Sequence, residues 1–172
     1  MIPNVRWGDE RSCTAECYGE KAAFLGLPKH SIVSISTYGT FTYTPKTGKI
    51  SKLKSGGHGQ AGLDLLDKQG IKYNIVKTYP NGVRVGNVPR HKVKSKQSGI
   101  GQAWFPKSWS EKDIRRAGEH VAGLKSNRRV PSGNTIFGTY KGVRVGVIRT
   151  HGRIATVFPD SYQPAKRRKK NA

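Results

Sequence analysis

Two of the five histidines, His58 and His91, stand in surroundings suited to acid–base work. His58 sits in Ser55-Gly56-Gly57-His58-Gly59, where glycines let the backbone approach a ligand closely. His91 opens His91-Lys92-Val93-Lys94-Ser95-Lys96, a cluster of positive charge. An imidazole with an ordinary pKa of about 6.5 can give or take a proton near neutrality. A lysine can hold charge that develops on a reacting phosphate. Metal-free cleavage of a phosphodiester in RNA would require those parts: a base for the 2′-hydroxyl proton, an acid for the leaving 5′-oxygen, and a cation beside the phosphorane. His30 and His120 lack such context, and His151, in Thr150-His151-Gly152-Arg153, reads as a turn residue. The ten carboxylates are scattered, with no acidic pair or His-rich cluster for a metal and no nucleophile-elbow sequence for a serine hydrolase. Neither a metal nor a cofactor is expected.

Charge points the same way. The 172 residues carry a net charge of +22, a self-repulsion that folding must overcome and that a polyanion would relieve. Five of those charges lie in Lys166-Arg167-Arg168-Lys169-Lys170, and removing them still leaves +17. The basicity therefore belongs to the body as well as the tail, which favours nucleic acid over a mere import or membrane tag. Cys13 and Cys17, the only cysteines, are four apart. A disulfide at that spacing on one helix is awkward, and without matching histidines they make no zinc site, so they read as free thiols. No apolar run reaches the length of a membrane span or a signal-peptide core, so a protein that leaves its cell needs a specialised system or a larger carrier.

The elements that must position these groups are short. Apolar residues make up 34% of the chain, with 21 Gly and 9 Pro, a composition of many turns and a modest core. Glu16 to Leu25 suits a short helix. Ser31 to Thr44 is rich in β-branched and aromatic residues and reads as a strand or a hairpin turning near Gly39. Lys46 to Lys54 reads as a basic linker. Ala61, Leu63, Leu65 and Leu66 predict a helix stopped by Gly70, which places His58 in the loop before a helix N-terminus, a position that attracts anions. Ile71 to Val76 and Val83 to Val88 form a hairpin across Tyr79-Pro80-Asn81-Gly82. That hairpin leaves His91 and its lysines just past a strand end. Trp104 to Trp109 looks like a hydrophobic plug, followed by Ser110 and Asp113 as a capping box for a helix with Ile114, Ala117, Gly118 and Val121 on one face. Three antiparallel strands close the chain, with turns at Lys141-Gly142 and His151-Gly152.

Gly82-Val83-Arg84-Val85-Gly86 recurs as Gly142-Val143-Arg144-Val145-Gly146. The repeat suggests two similar β-lobes. The expected fold is α+β, with short N-terminal helices plus two small antiparallel β-lobes flanking a cleft that would hold the site.

Four ordered blocks, Ser55 to Gln60, Asn81 to Lys94, Gly101 to Trp109 and Gly142 to Pro159, resemble the bacterial EndoU nuclease domain, found at the toxic tips of polymorphic and contact-dependent toxins. The likeness covers about residues 55–164, leaving 1–54 as an N-terminal region of unassigned role and 165–172 as a basic tail. It implies a metal-independent transesterification of single-stranded RNA, in some toxins tRNA and often at uridine, that leaves 2′,3′-cyclic phosphate ends. It also implies a secreted or delivered toxin acting in the cytoplasm of a target cell, held in check by a cognate immunity protein. Such a partner is expected to be acidic, because covering a cationic cleft needs compensating charge. On this resemblance His58 and His91 look like the paired acid and base and Lys94 like the charge-stabilising lysine, with Lys92 and Lys96 as competitors for that role. Thr156 falls where the family has a substrate-contacting Ser or Thr, and equally suits an ordinary strand position. Phe158 stands where many relatives have a tyrosine, which leaves base stacking without the hydroxyl. Lys92, Lys96, Phe158 and Arg144 are the expected substrate contacts. A non-catalytic basic RNA-binding protein is the reading from another class, since charge alone would suffice for it.

Overall fold

The computed structural model describes Trp7 and residues 32–164. The expected helix over 16–25, both cysteines, His30 and the tail from 165 lie outside the described residues. Within them the fold is α+β: three α-helices and three small antiparallel sheets. The helices are α1 (Ile32–Tyr38), α2 (Gln60–Lys68) and α3 (Glu111–Gly123), and the strands run from β1 to β8. Strands β1 (Thr40–Tyr43) and β2 (Ile50–Ser55) pair as a hairpin. The first three-stranded sheet is β3 (Asn74–Thr78), β4 (Arg84–Asn87) and β5 (Gln102–Trp104), with β4 in the middle. The second is β6 (Thr135–Tyr140), β7 (Val143–Thr150) and β8 (Arg153–Pro159), with β7 in the middle.

The two copies of the Gly-Val-Arg-Val-Gly string are thus the central strands of two three-stranded sheets. Their valines face one shared core: Val83, Val85, Val143 and Val145 are all fully buried there, with Ile114, Ala117 and Val121 of α3. A second core, built from Leu53, Leu63, Leu66 and Trp104, covers the other side of the first sheet beneath α2 and the β1–β2 hairpin. Helix α3 begins at the expected capping box, in which Ser110 Oγ accepts from the Asp113 amide and the Asp113 carboxylate accepts from the Ser110 amide. The β6–β7 and β7–β8 hairpins turn through paired left-handed residues, Lys141 and Gly142 (φ 46° and 75°) and His151 and Gly152 (φ 51° and 74°). That geometry is type I′, whose twist matches the strands it joins.

Two expectations are overturned. Ile32–Tyr38 is a helix, not the first half of a hairpin, and the strand begins only after Gly39. Its β-branched residues favour extended backbone in isolation, but Val33, Ser36 and Thr37 recur at helical spacing and are buried, and packing against β8, α2 and α3 outweighs a propensity difference of well under 1 kcal/mol per residue. Lys46 to Lys54 is not a linker throughout, since Ile50–Ser55 forms β2.

Candidate active site

The loop that carries His58 is fastened to the end of α1. The last carbonyls of a helix want donors from outside it, and three consecutive amides bond to this helix end: Gly57 donates to Ile35 O (3.2 Å), which also accepts from Gly39 (2.9 Å), His58 to Ser36 O (2.7 Å) and Gly59 to Thr37 O (3.0 Å). Gly56 and Gly57 adopt φ of 67° and 71°, left-handed backbone that a side chain would strain, and a Cβ on Gly56 would fall onto the Ile35 carbonyl. The same helix reaches across to the second sheet through Ser36 Oγ, which accepts from the Val157 amide (3.2 Å). Immediately after His58, Gly59 caps the N-terminus of α2.

Strand β5 holds the histidine from the other side. The Phe105 amide donates to the His58 carbonyl (2.7 Å), and His58 Nδ1 lies 2.7 Å from the Ala103 carbonyl. A carbonyl only accepts, so Nδ1 carries the proton and Nε2 presents a lone pair. The buried Gln102 donates to the Gly56 carbonyl (3.0 Å). Arg84, buried on β4, binds both the Phe105 carbonyl and the Gln60 side chain. His58 itself is only 5% exposed.

His91 has the opposite tautomer. Its Nδ1 accepts from the Val93 amide (2.9 Å), so the neutral ring carries its proton on Nε2. That nitrogen is buried with no hydrogen-bond partner, an arrangement that costs free energy unless something else uses it. The residue is tied down by the Val88 carbonyl on its amide and by Gln97 Nε2 on its own carbonyl, and a parallel bridge joins it to Leu53.

A cavity of about 320 Å³ is lined by His58, Lys96, Ala103, Thr156 and Phe158, among others. It lies where β5 of the first sheet meets β7 and β8 of the second. Phe158 brings its ring centroid to 6.0 Å from that of His58, tilted by 43°. Burial holds the pKa of His58 down at about 3, helped by the nearby Lys96 charge and, more weakly, by His91. Burial and Lys96 likewise lower His91 to about 4, and burial lowers Lys96. The Lys96 charge acts on both histidines, and His91 on His58. Among the described residues the ion pairs are Lys141–Asp113 and Arg144–Asp160, and neither involves the cluster.

The sequence-derived candidates therefore separate. His58, Lys96, Thr156 and Phe158 share the cavity. His91 is close enough to affect the His58 titration but is fully buried and does not line the cavity wall. Lys92 and Lys94 are exposed and do not line the cavity. Lys96 comes inward because Lys94–Lys96 forms a single 3₁₀ turn, anchored where the Val88 amide donates to the Lys96 carbonyl. Arg144 lies beyond the lining and is paired with Asp160. The supporting groups on α1, together with Arg84 and Gln102, were not singled out in the sequence, and no local signal marks them. Among the described residues no group of three or more His, Cys, Asp or Glu side chains is arranged to hold a metal, and no helix is long and apolar enough to cross a membrane.

Comparison with known proteins finds one family: the profile of bacterial EndoU nucleases matches residues 42–161. No curated protein and no solved structure matches.

Proposed function

Since the chain belongs to the bacterial EndoU nuclease family, we propose that its cavity cuts single-stranded RNA by metal-independent transesterification. The observation that carries this reading is the convergence of His58, His91 and Lys96, none of them ion-paired with a carboxylate among the described residues, beside a cavity that also holds a hydroxyl and an aromatic ring. In the proposed step, His58 Nε2 takes the proton of the ribose 2′-hydroxyl. The 2′-oxygen bonds to phosphorus as the bond to the 5′-oxygen breaks, and that oxygen receives its proton from Nε2 of His91 in its imidazolium form, whose protonated Nδ1 has given up the bond from the Val93 amide. The products are a 2′,3′-cyclic phosphate and a free 5′-hydroxyl. Lys96, in place of the exposed Lys94, faces the charge that builds on the non-bridging oxygens.

A phosphodiester in the cluster brings a negative charge, which favours the protonated form of each nearby base. Substrate therefore raises the histidine pKa values from about 3 and 4 back toward neutrality, where a positioned acid and base are most effective. His91, fully buried in the free protein, can act only after local opening around its ring. Thr156 and Phe158 take the base, by hydrogen bonding and stacking respectively. The wider reading is a delivered toxin acting in a target cell, with RNA, tRNA among the candidates, as substrate and uridine as the expected site. An acidic immunity protein would cover the cavity.

Incubating purified wild-type, His58→Ala and His91→Ala proteins with total RNA in EDTA, followed by analysis of the ends, tests the reaction class and two residues together. Wild-type protein is expected to leave 2′,3′-cyclic phosphates. Each variant should lose roughly 100-fold or more in turnover while still binding RNA. No cutting by the wild type, with tight and salt-sensitive binding by all three, would move the protein to the non-catalytic RNA-binding class.

A further inference from the structure

The face of the second sheet that borders the cavity extends beyond it. Phe137, Gly146 and Phe158 stand in register across β6, β7 and β8, and both rings lean over the glycine. A Cβ on Gly146 would sit 2.6 Å from the Phe158 ring and 3.2 Å from the Phe137 ring. Two residues before Gly146 on the same strand, Arg144 lays its guanidinium over Phe137, 4.3 Å from the ring centroid. Asp160 Oδ2 accepts from Arg144 Nε at 2.6 Å. Gln163, buried, brackets the Arg144 backbone by accepting from its amide (2.8 Å) and donating to its carbonyl (2.9 Å). The guanidinium is thus a plate with one face backed by an aromatic ring and its orientation fixed. Its terminal nitrogens make no hydrogen bond among the described residues, and 43% of the side chain remains exposed.

From this geometry we infer that Arg144 is a second stacking site, taking the base of a nucleotide that flanks the one held beside His58. The inference rests on the ribonuclease reading above and extends it from one base to two. A planar cation stacks on a nucleobase irrespective of sequence, and stacking on such platforms is what orders single-stranded RNA along a surface. Arg144 and Phe158 lie diagonally across adjacent strands, a separation of about 7–8 Å in an antiparallel sheet, short enough for consecutive bases of a splayed strand. Asp160 holds the plate flat and leaves the outer face and the terminal nitrogens to the RNA. The substrate preference that follows is for an RNA that carries the flanking base over one that lacks it: a dinucleotide over a nucleoside 3′-alkyl phosphodiester if that base lies on the 3′ side, a trinucleotide over a dinucleotide if it lies on the 5′ side.

The test compares kcat/KM for a nucleoside 3′-alkyl phosphodiester, a dinucleotide and a trinucleotide extended on the 5′ side, using wild type, Arg144→Lys and Phe137→Leu. Wild type is expected to gain about tenfold at the step that adds the flanking base, the value of one stacked base. Arg144→Lys keeps the charge but loses the plane, and should shrink that advantage to about twofold or less. Phe137→Leu, which removes the backing ring, should shrink it in part. That gain retained in Arg144→Lys overturns the inference, as does an equal loss on every substrate or no gain at either step in wild type. Should wild type cleave none of these RNAs, the ribonuclease reading fails by itself, and fluorescence anisotropy with labelled 2′-deoxy trinucleotides then judges the stacking site. Weaker binding to Arg144→Lys than to wild type supports it, and equal binding overturns it.

Discussion

The same five residues build the middle of both three-stranded sheets, and the two copies do different work. In each, the valines turn toward the shared core and the arginine turns away. In the first sheet that outer side meets a second core, so Arg84 is buried at 8% exposure and spends its guanidinium on Gln60 and the Phe105 carbonyl. In the second sheet the outer side opens beside the cavity, so Arg144 stays accessible and stacks on Phe137. The glycines differ likewise. Gly86 admits the Asn74 carbonyl of a neighbouring strand, whereas Gly146 admits two aromatic rings. A residue's role here is set by what covers its face of the sheet. On the proposed reading, chemistry gathers on the first sheet's side, where β5 fixes His58 and the chain beyond β4 carries His91 and Lys96, and recognition gathers on the second, where β8 brings Thr156 and Phe158 to the cavity.

That division of labour makes the sharpest prediction. Lys96→Ala should lower kcat by roughly 100-fold or more, while Lys94→Ala should change it less than about threefold and Phe158→Leu should raise KM roughly tenfold with a smaller effect on kcat. Steady-state kinetics on one fluorogenic RNA reads all three. An effect of Lys94→Ala equal to that of Lys96→Ala would erase the distinction between the inward and outward lysines.

The arginines come next. Arg84→Ala leaves the Phe105 carbonyl and the Gln60 amide oxygen without their buried donor and should cost about 3 kcal/mol in urea unfolding. Arg144→Ala removes a half-exposed ion pair and should cost no more than about 1 kcal/mol. Equal losses would mean that both strands are buried alike.

Glycine replacements separate the same strands by a smaller margin. Gly86→Ala drives a methyl into backbone, which cannot swing aside, and should cost about 2 kcal/mol. Gly146→Ala meets ring edges that can rotate, so its stability loss should be about 1 kcal/mol or less. Its activity should nonetheless fall because Phe158 is displaced from beside His58. The reverse order in urea midpoints would break the comparison.

A last effect is on pH. His58 and His91 both titrate below the ordinary histidine value of 6.5, so between that value and about 4 the unfolded chain binds more protons than the folded one. Stability then falls as pH drops, by at most about 1.4 kcal/mol per pH unit for each histidine. Urea midpoints at pH 7.5, 6 and 5 should decline, and a combined His58→Gln, His91→Gln variant should be flatter. A wild-type midpoint unchanged from pH 7.5 to 5 would count against buried neutral imidazoles.

Several features follow from the sequence alone because their causes are local. The capping box at Ser110 and Asp113, the turns at Lys141-Gly142 and His151-Gly152, the helix after His58 and the central Gly-Val-Arg-Val-Gly strands each rest on residues within a few positions of one another, and all are present. The polyanionic partner rests on composition, which needs no coordinates. Other features needed the tertiary structure. Ile32–Tyr38 has the residues of a strand and becomes a helix because β8, α2 and α3 close around it, and its free carbonyls then anchor the His58 loop. Which of Lys92, Lys94 and Lys96 lines the cavity could not be read from spacing, because a 3₁₀ turn over Lys94–Lys96 sets their directions. The tautomers of the two histidines depend on an Ala103 carbonyl 45 residues away in one case and a Val93 amide two residues away in the other. Identical strands acquired one buried and one open arginine because only long-range packing determines which face of a sheet receives a second layer.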